Sequence, residues 1–176
     1  MTEFVVDTNV ILVANRSHPA ASEECVISCV ERLNKLIAAH TLVLDDGYRI
    51  LREYQKKTSP NKCKQVGDVF VKWVLTHAGN SHRVHQVTLT ETAQDSFAEF
   101  PVAAIEAQFD PPDRVFPSVA NAHPSRPIIW QAVDCKWLDW WPDLHHVGVR
   151  IEFICPEDIC RYYVRKFPAR ELPALP

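Results

Sequence analysis

The sequence predicts an α/β fold, a sandwich of helices around a mostly parallel sheet. Short, strongly apolar runs that suit strands buried on both faces alternate with longer segments whose apolar residues recur at helical spacing. Two of those runs, "EFVV" and "PIIWQAV", stop directly at an aspartate, Asp7 and Asp134. That is the pattern of strands whose carboxyl ends open onto a ligand site. At 176 residues, 47% of them hydrophobic, the chain has the size for one domain with its own core.

Glu3–Val6 reads as the first strand. After a second apolar run and the polar gap "NRSHPAAS", a helix is predicted from about Ser22, its N-cap, with Val26, Ile27, Val30, Leu33 and Ile37 at helical spacing. Residues 42–44 form a second short strand closed by Asp45 and Asp46. Either acid can cap the next helix, "GYRILREYQKK", whose inner side is marked by Ile50, Leu51 and Tyr54. "SPNKC" is a loop, and Val66–His77 is again helical, with Val66, Val69, Phe70, Trp73 and Val74 in phase. "RVHQVTL" reads as a strand and "PIIWQAV" as a second strongly apolar one. "VRIEFI" alternates as an edge or terminal strand does, and "EDICRYYVRK" makes a closing helix. The domain is expected to span 1–160, leaving 161–176 as a basic, proline-containing tail.

No apolar run approaches the ~20 residues that cross a bilayer. Glu3 and Asp7 also interrupt the layout of a secretory signal, so a cytoplasmic protein without membrane contact is expected. The six cysteines, Cys25, Cys29, Cys63, Cys135, Cys155 and Cys160, are then expected as reduced, buried thiols, because no CxxC pair or matching histidine spacing points to zinc. A net charge of −3 does not fit a protein that binds nucleic acid through phosphate attraction alone. The charge is uneven, however. Arg49, Arg52, Lys56, Lys57, Lys62 and Lys64 fall in one stretch, and Arg161, Arg165, Lys166 and Arg170 in another. Each cluster by itself reads as a solvated helix face.

An aspartate between apolar runs, as Asp7 is, costs free energy to bury unless it is paired, hydrogen-bonded or metal-bound. Asp7 and Asp134 become neighbours if their strands are adjacent. Glu53 stands beside Ile50 and Tyr54 on its helix and leans toward the core edge. In "FDPPDRVFPSVANA", Asp110 suits an N-cap and Pro111 a first helical residue, which puts Asp113 in the first turn. Taken singly, each acid has a structural use as a cap or as the partner of Arg49 or Lys57. Gathered together, four carboxylates repel and raise one another's pKa values. A divalent cation removes that objection, and all-oxygen ligands suit Mg2+ or Mn2+. An ion held this way on an open sheet edge suits phosphodiester hydrolysis, because it activates water and polarises a phosphoryl oxygen.

"VVDTNVIL" resembles the opening of PIN domains, the metal-dependent nuclease fold of bacterial toxin–antitoxin toxins and of several RNA-processing enzymes. The later order is also similar: "RILREY" with Glu53, "DPPDRVFPSVA" with Asp113, a strand, "AVDCKWL" with Asp134, then "GVRIEFICPEDI". The resemblance implies a three-layer α/β/α sandwich with a central parallel sheet. It implies Mg2+ or Mn2+ held by Asp7, Glu53, Asp113 and Asp134, the catalytic and metal-binding set, and endonucleolytic cleavage of single-stranded or structured RNA by a toxin or defence-system effector. Thr8 and Asn9 would support the first acid by hydrogen bonding. Arg49, Arg52, Arg114, Lys136 and Trp137 are the candidate substrate contacts. An antitoxin or effector partner and a homodimer are expected by the same analogy.

The chain departs from the family pattern at Ala132, where many relatives carry a hydroxyl, and at Lys136, where another acid often stands. Pro117 also falls inside the helix expected to carry Asp113. These departures motivate the alternative of a PIN-like module that binds RNA or a protein without cleavage. A phospho-receiver reading of "TLVLDDGYRI" finds no later phospho-accepting aspartate in "VTLTET", and a dehalogenase-type phosphatase would need a second aspartate two positions after Asp7.

Trp130, Trp137, Trp140 and Trp141 surround the last acid. Trp137 and Trp141 share a helical face, which suits packing on the sheet. The other uses are a stacking platform for unpaired bases or a dimerisation patch. His82, His85, His145 and His146 are expected in loops or on the surface.

Overall fold

β1 (Glu3–Val6) buries Val5 and Val6 completely, as a strand covered on both faces must. The computed structural model, which describes residues 2–176, turns the chain at Asp7 straight into α1 (Thr8–Ala14). The second apolar run is therefore a helix, and seven residues are too few for periodicity to announce it. Its signal is the cap: Asp7 Oδ1 accepts from the Asn9 N–H at 2.8 Å. α2 (Glu23–Ala39) starts at the expected Ser22, whose Oγ accepts from the Cys25 N–H at 3.2 Å. Its inner line is Cys25, Val26, Cys29, Leu33 and Leu36. The predicted face is thus turned slightly, and Ile27 is 50% exposed.

β2 (Thr41–Asp45) is buried along its whole length. α3 (Arg49–Lys57) buries Ile50, Leu51 and Tyr54 as predicted, and Asp45 rather than Asp46 closes its start, accepting from the N–H groups of Arg49 and Ile50 at 2.8 and 3.0 Å. α4 (Val66–His77) and β3 (Val84–Val87) follow the prediction, except that Val69 faces outward. The antiparallel ribbon of β4 (Glu91–Ala93) and β5 (Ser96–Phe97), and the single turn α5 (Ala103–Glu106), have no counterpart in the predicted elements. The residues of β4 are all exposed, so no apolar alternation marks it.

A 3-10 turn, Pro111–Arg114, opens after Asp110 and runs into α6 (Val115–Ala122). Pro117 sits in the first turn of α6, where N–H groups have no intrahelical acceptor, so it does not break the helix. β6 (Ile128–Gln131), α7 (Trp137–His146), β7 (Ile151–Phe153) and α8 (Pro156–Lys166) complete the chain. The expected domain boundary at 160 is corrected by α8: Tyr162 and Tyr163 are buried, which holds Arg161–Lys166 in the helix. Beyond it, the carbonyl of Ala174 accepts from Trp141 Nε1 at 2.9 Å.

The five-stranded sheet has the order β3-β2-β1-β6-β7, with every neighbouring pair parallel. Helices α1 to α4 pack on one another, while α6 lies on β1, β2 and β6. Right-handed crossovers put these two groups on opposite faces, giving the three-layer α/β/α sandwich. Between β1 and β6 the strand order reverses, which opens a crevice at their carboxyl ends.

Two expectations are overturned in the core. Trp130, Trp137 and Trp140 are only 1%, 0% and 4% exposed, and Phe109 stacks on Trp140 at 3.8 Å between ring centres. Trp137 is core and offers no face to a base. Cys25 and Cys155 form a disulfide across a separation of 130 residues, tying α2 to the start of α8, whereas Cys29, Cys63, Cys135 and Cys160 are free. Only the tertiary fold brings that pair together. Among the described residues no helix is long and apolar enough to cross a membrane.

Candidate metal centre

Asp7 and Asp134 stand just past the ends of adjacent strands. β1 and β6 pair with Val6 opposite Trp130, and the Asp7 N–H continues the ladder to the Trp130 carbonyl at 3.0 Å. Glu53 enters from α3 and Asp113 from the 3-10 turn before α6. All four carboxylates line one cavity of about 610 Å³ at the switch point.

Asn9 builds its floor. The Asn9 side-chain amide donates to Asp7 Oδ1, and its Oδ1 accepts from the N–H groups of Ala132 and Val133 at 3.0 and 3.2 Å. Gln131 Oε1 takes the N–H groups of Ala132 at 2.7 Å and Asp134 at 3.3 Å. The turn presenting Asp134 is therefore fastened to the residues that present Asp7. Tyr54, buried under the site, donates its hydroxyl to the Val6 carbonyl and fixes α3 against the end of β1. The support expected from Asn9 is present. Thr8 differs: its hydroxyl lies by Glu53, not Asp7, and forms no hydrogen bond of normal geometry.

Burial dominates the electrostatics. It pushes the Asp7 carboxyl well above the usual aspartate range, and the neighbouring charges of Asp113, Asp134 and Glu53 add to the rise against the Asn9 N–H. Asp113 rises to about 7, through burial first and then Asp134, Asp110 and Glu53. Glu53 and Asp134 are also raised by burial, opposed at Glu53 by Thr8, Lys57 and Lys56, and at Asp134 by Lys136 and Lys166. One buried carboxylate, Asp7, and three half-buried ones, all with raised pKa values, are short of positive charge.

The walls support the same reading. Thr8 Oγ1, His18 Nδ1 and Tyr162 OH are buried without a hydrogen-bond partner, and all three residues line this cavity. Native proteins leave few such groups orphaned. The donor set is all carboxylate and these three unsatisfied polar atoms belong to its walls, so the residues fit a hard divalent ion with its water.

Cations flank the acids. Lys57, Arg165 and Lys166 line the same cavity. A second cleft of about 560 Å³ shares Glu53, Lys57 and Asp113 with it and adds Arg49, Arg52 and Lys56. Of the predicted substrate contacts, Arg49 and Arg52 thus stand beside the acids. Arg49 also pairs with Glu91. Lys136 is tied to Asp110 at the rim, and Arg114 is turned to Ser96 Oγ at 3.0 Å and away from both cavities. Trp137 is excluded by burial.

The sequence reading missed His18, Tyr162, Arg165 and Lys166 as wall residues. The last two were visible as a basic cluster whose face could not be assigned, whereas His18 and Tyr162 carry no local signal. Comparison of the chain with protein-family models, with curated proteins and with solved structures finds no match. The site's own chemistry carries the functional reading.

Proposed function

We propose that the protein is a Mg2+- or Mn2+-dependent endoribonuclease of PIN type, with Asp7, Glu53, Asp113 and Asp134 as its metal-binding and catalytic acids. The observation that supports this most is their meeting in one cavity at the β1/β6 switch point, between cationic clefts. An ion bound there supplies Lewis-acid polarisation of a phosphoryl oxygen and a water of lowered pKa. The chain does the rest. Asn9 holds Asp7 in place, and Gln131 holds the turn of Asp134, so the ligands are positioned before the ion arrives. Arg49, Arg52 and Lys56 on one side, and Arg165 and Lys166 on the other, bind successive phosphates. Lys57, common to both clefts, sits where the scissile phosphate crosses the acids.

A strand threaded over such clefts is contacted through its phosphates, which favours unpaired or locally opened RNA over a rigid duplex. Cytoplasmic residence belongs to this reading, and there the Cys25–Cys155 bond would face the reducing glutathione and thioredoxin systems.

The test is cleavage of mixed-sequence single-stranded RNA and DNA with Mg2+, Mn2+ or chelator, using the wild-type protein and Asp7→Asn. Metal-dependent RNA cleavage lost in Asp7→Asn is the expected result. RNA left intact together with no binding of either ion overturns the proposal. Binding of both ion and RNA without cleavage would identify the non-cleaving module instead.

A further inference from the structure

At the amino edge of the same sheet a second group of ligands converges. Glu3 begins β1, His85 lies on edge strand β3, and His123 caps the carboxyl end of α6. Glu3 Oε1 is 3.4 Å from His85 Nδ1 and 3.5 Å from His123 Nε2, and the two ring nitrogens are 2.8 Å apart. We propose that Glu3, His85 and His123 form a second metal site that takes a zinc-type transition ion, independent of the acidic cavity.

A tetrahedral zinc ion with bonds of about 2.0–2.2 Å needs ligand atoms roughly 3.3–3.5 Å apart. Two of the three separations already meet this. The third opens by a small rotation of His85, whose side chain is 45% exposed and sits on an edge strand. Exposure on that side also gives an ion a way in and a place for a water as fourth ligand. His123 is the fixed partner, only 4% exposed.

Ser125 stands behind both inner ligands. Its hydroxyl donates to Glu3 Oε2 and lies 3.0 Å from His123 Nδ1, while its N–H points to the same Nδ1 at 3.2 Å. Without an ion, Nδ1 accepts from that N–H and Nε2 carries the proton toward His85. With an ion on Nε2, the proton moves to Nδ1 and is accepted by the Ser125 hydroxyl, which still donates to Glu3. Ion binding therefore reverses the His123 tautomer: the Ser125 hydroxyl keeps its bond to Glu3 and gains the Nδ1 proton, and the Ser125 N–H gives up its acceptor. A ligand imidazole must be neutral, and the Ser125 N–H donating to Nδ1 already selects the neutral ring.

Two imidazoles and one carboxylate select borderline ions, whereas the four carboxylates at the other edge suit Mg2+ or Mn2+. The ion would join the start of β1, strand β3 and the end of α6. Two of these elements lead at their other ends to Asp7 and Asp113.

The test uses the full chain with its disulfide intact, stripped with chelator and titrated with Zn2+ by calorimetry. An Asp7→Asn/Asp134→Asn background keeps the carboxylate cavity from contributing. One Zn2+ per chain is expected, weakened at least tenfold when His85→Gln or Glu3→Gln is added, and accompanied in 15N spectra by a proton shift from Nε2 to Nδ1 of His123. Zn2+ that fails to bind, or that binds equally well in His85→Gln and Glu3→Gln, overturns the site. So does a His123 ring whose nitrogen signals do not move on addition of Zn2+ to the otherwise unaltered protein, a readout that needs no variant to fold.

Discussion

At its carboxyl edge the sheet gathers Asp7, Glu53, Asp113 and Asp134, and none of them forms an ion pair with a described cation. At its amino edge Glu3 is bonded to Ser125 and flanked by His85 and His123. The pKa directions are opposite. Burial and mutual repulsion raise the carboxyl-edge acids. At Glu3 burial also works upward, but the Ser125 hydrogen bond and the two histidines outweigh it, and the pKa is lowered. One edge is thus destabilised by its own charge until a cation arrives. At the other, Glu3 already has the Ser125 hydroxyl and the two histidines as partners. Asp7 and Asp134 at the carboxyl edge have hydrogen-bond donors but no described cationic partner, whereas Glu3 is set among groups that lower its pKa.

The most severe way to break this contrast is to remove a carboxyl-edge ligand. Asp7→Asn should reduce RNA cleavage by roughly 10³-fold, about 4 kcal/mol of transition-state stabilisation, with the circular dichroism spectrum unchanged. Retained cleavage in gel assays would show that the acids are not acting on an ion.

Trp137→Ala separates core from platform. A buried indole deleted from the centre of the α7 contact should cost about 3–5 kcal/mol in urea unfolding, and RNA affinity measured on the folded fraction should not change. A specific loss of RNA binding at unaltered stability would restore the stacking role.

Asp113→Asn tests the repulsion itself. Asp113 has a folded-state pKa of about 7 against an ordinary 3.8. Between those values the folded protein binds more protons than the unfolded chain, so metal-free stability falls as pH rises from about 4 to 7. The amide should therefore stabilise the chelated protein by ~2 kcal/mol at pH 8, with the gain vanishing below pH 4. With saturating Mg2+ the sign should reverse, because a ligand is then missing. Thermal unfolding at the two pH values, with and without the ion, reads all of this.

The smallest expected effect lies in the flanking cations. Arg165→Ala and Lys166→Ala together should raise KM about 3–10-fold with kcat little changed, and should flatten the salt dependence of RNA binding by about 1–2 in slope. An unchanged slope would remove α8 from the substrate path.

The central parallel strands, α3, α4, α8 and the cap at Ser22 were legible because each is announced locally, by a buried run, a helical period or a capping residue. Asp110 precedes its turn as expected but makes no side-chain cap and pairs with Lys136 instead. The four acids were legible as candidates for similar reasons: Asp7 and Asp134 follow strands, Asp113 sits in a first turn, and Glu53 stands beside the inner residues Ile50 and Tyr54 of its helix. α1 was not, because its run of five apolar residues, Val10 to Ala14, fits either kind of element and only the Asp7 cap decides. Trp137 stayed open between packing and base contact because a tryptophan's face depends on what lies opposite, here Phe109 and Trp140. The Cys25–Cys155 pair and the Glu3–His85–His123 group had no local sign at all.

By itself the chain dictates where strands end and which side chains those ends release, because backbone geometry and side-chain burial act over a few residues. Which ends become neighbours was decided by the crossovers that place β6 beside β1 and carry α6 back across the sheet. That choice turns Asp7 and Asp134 from two unremarkable capping acids into one charged cavity. Electrostatic energy depends on distance in space, and spacing along a chain does not encode it.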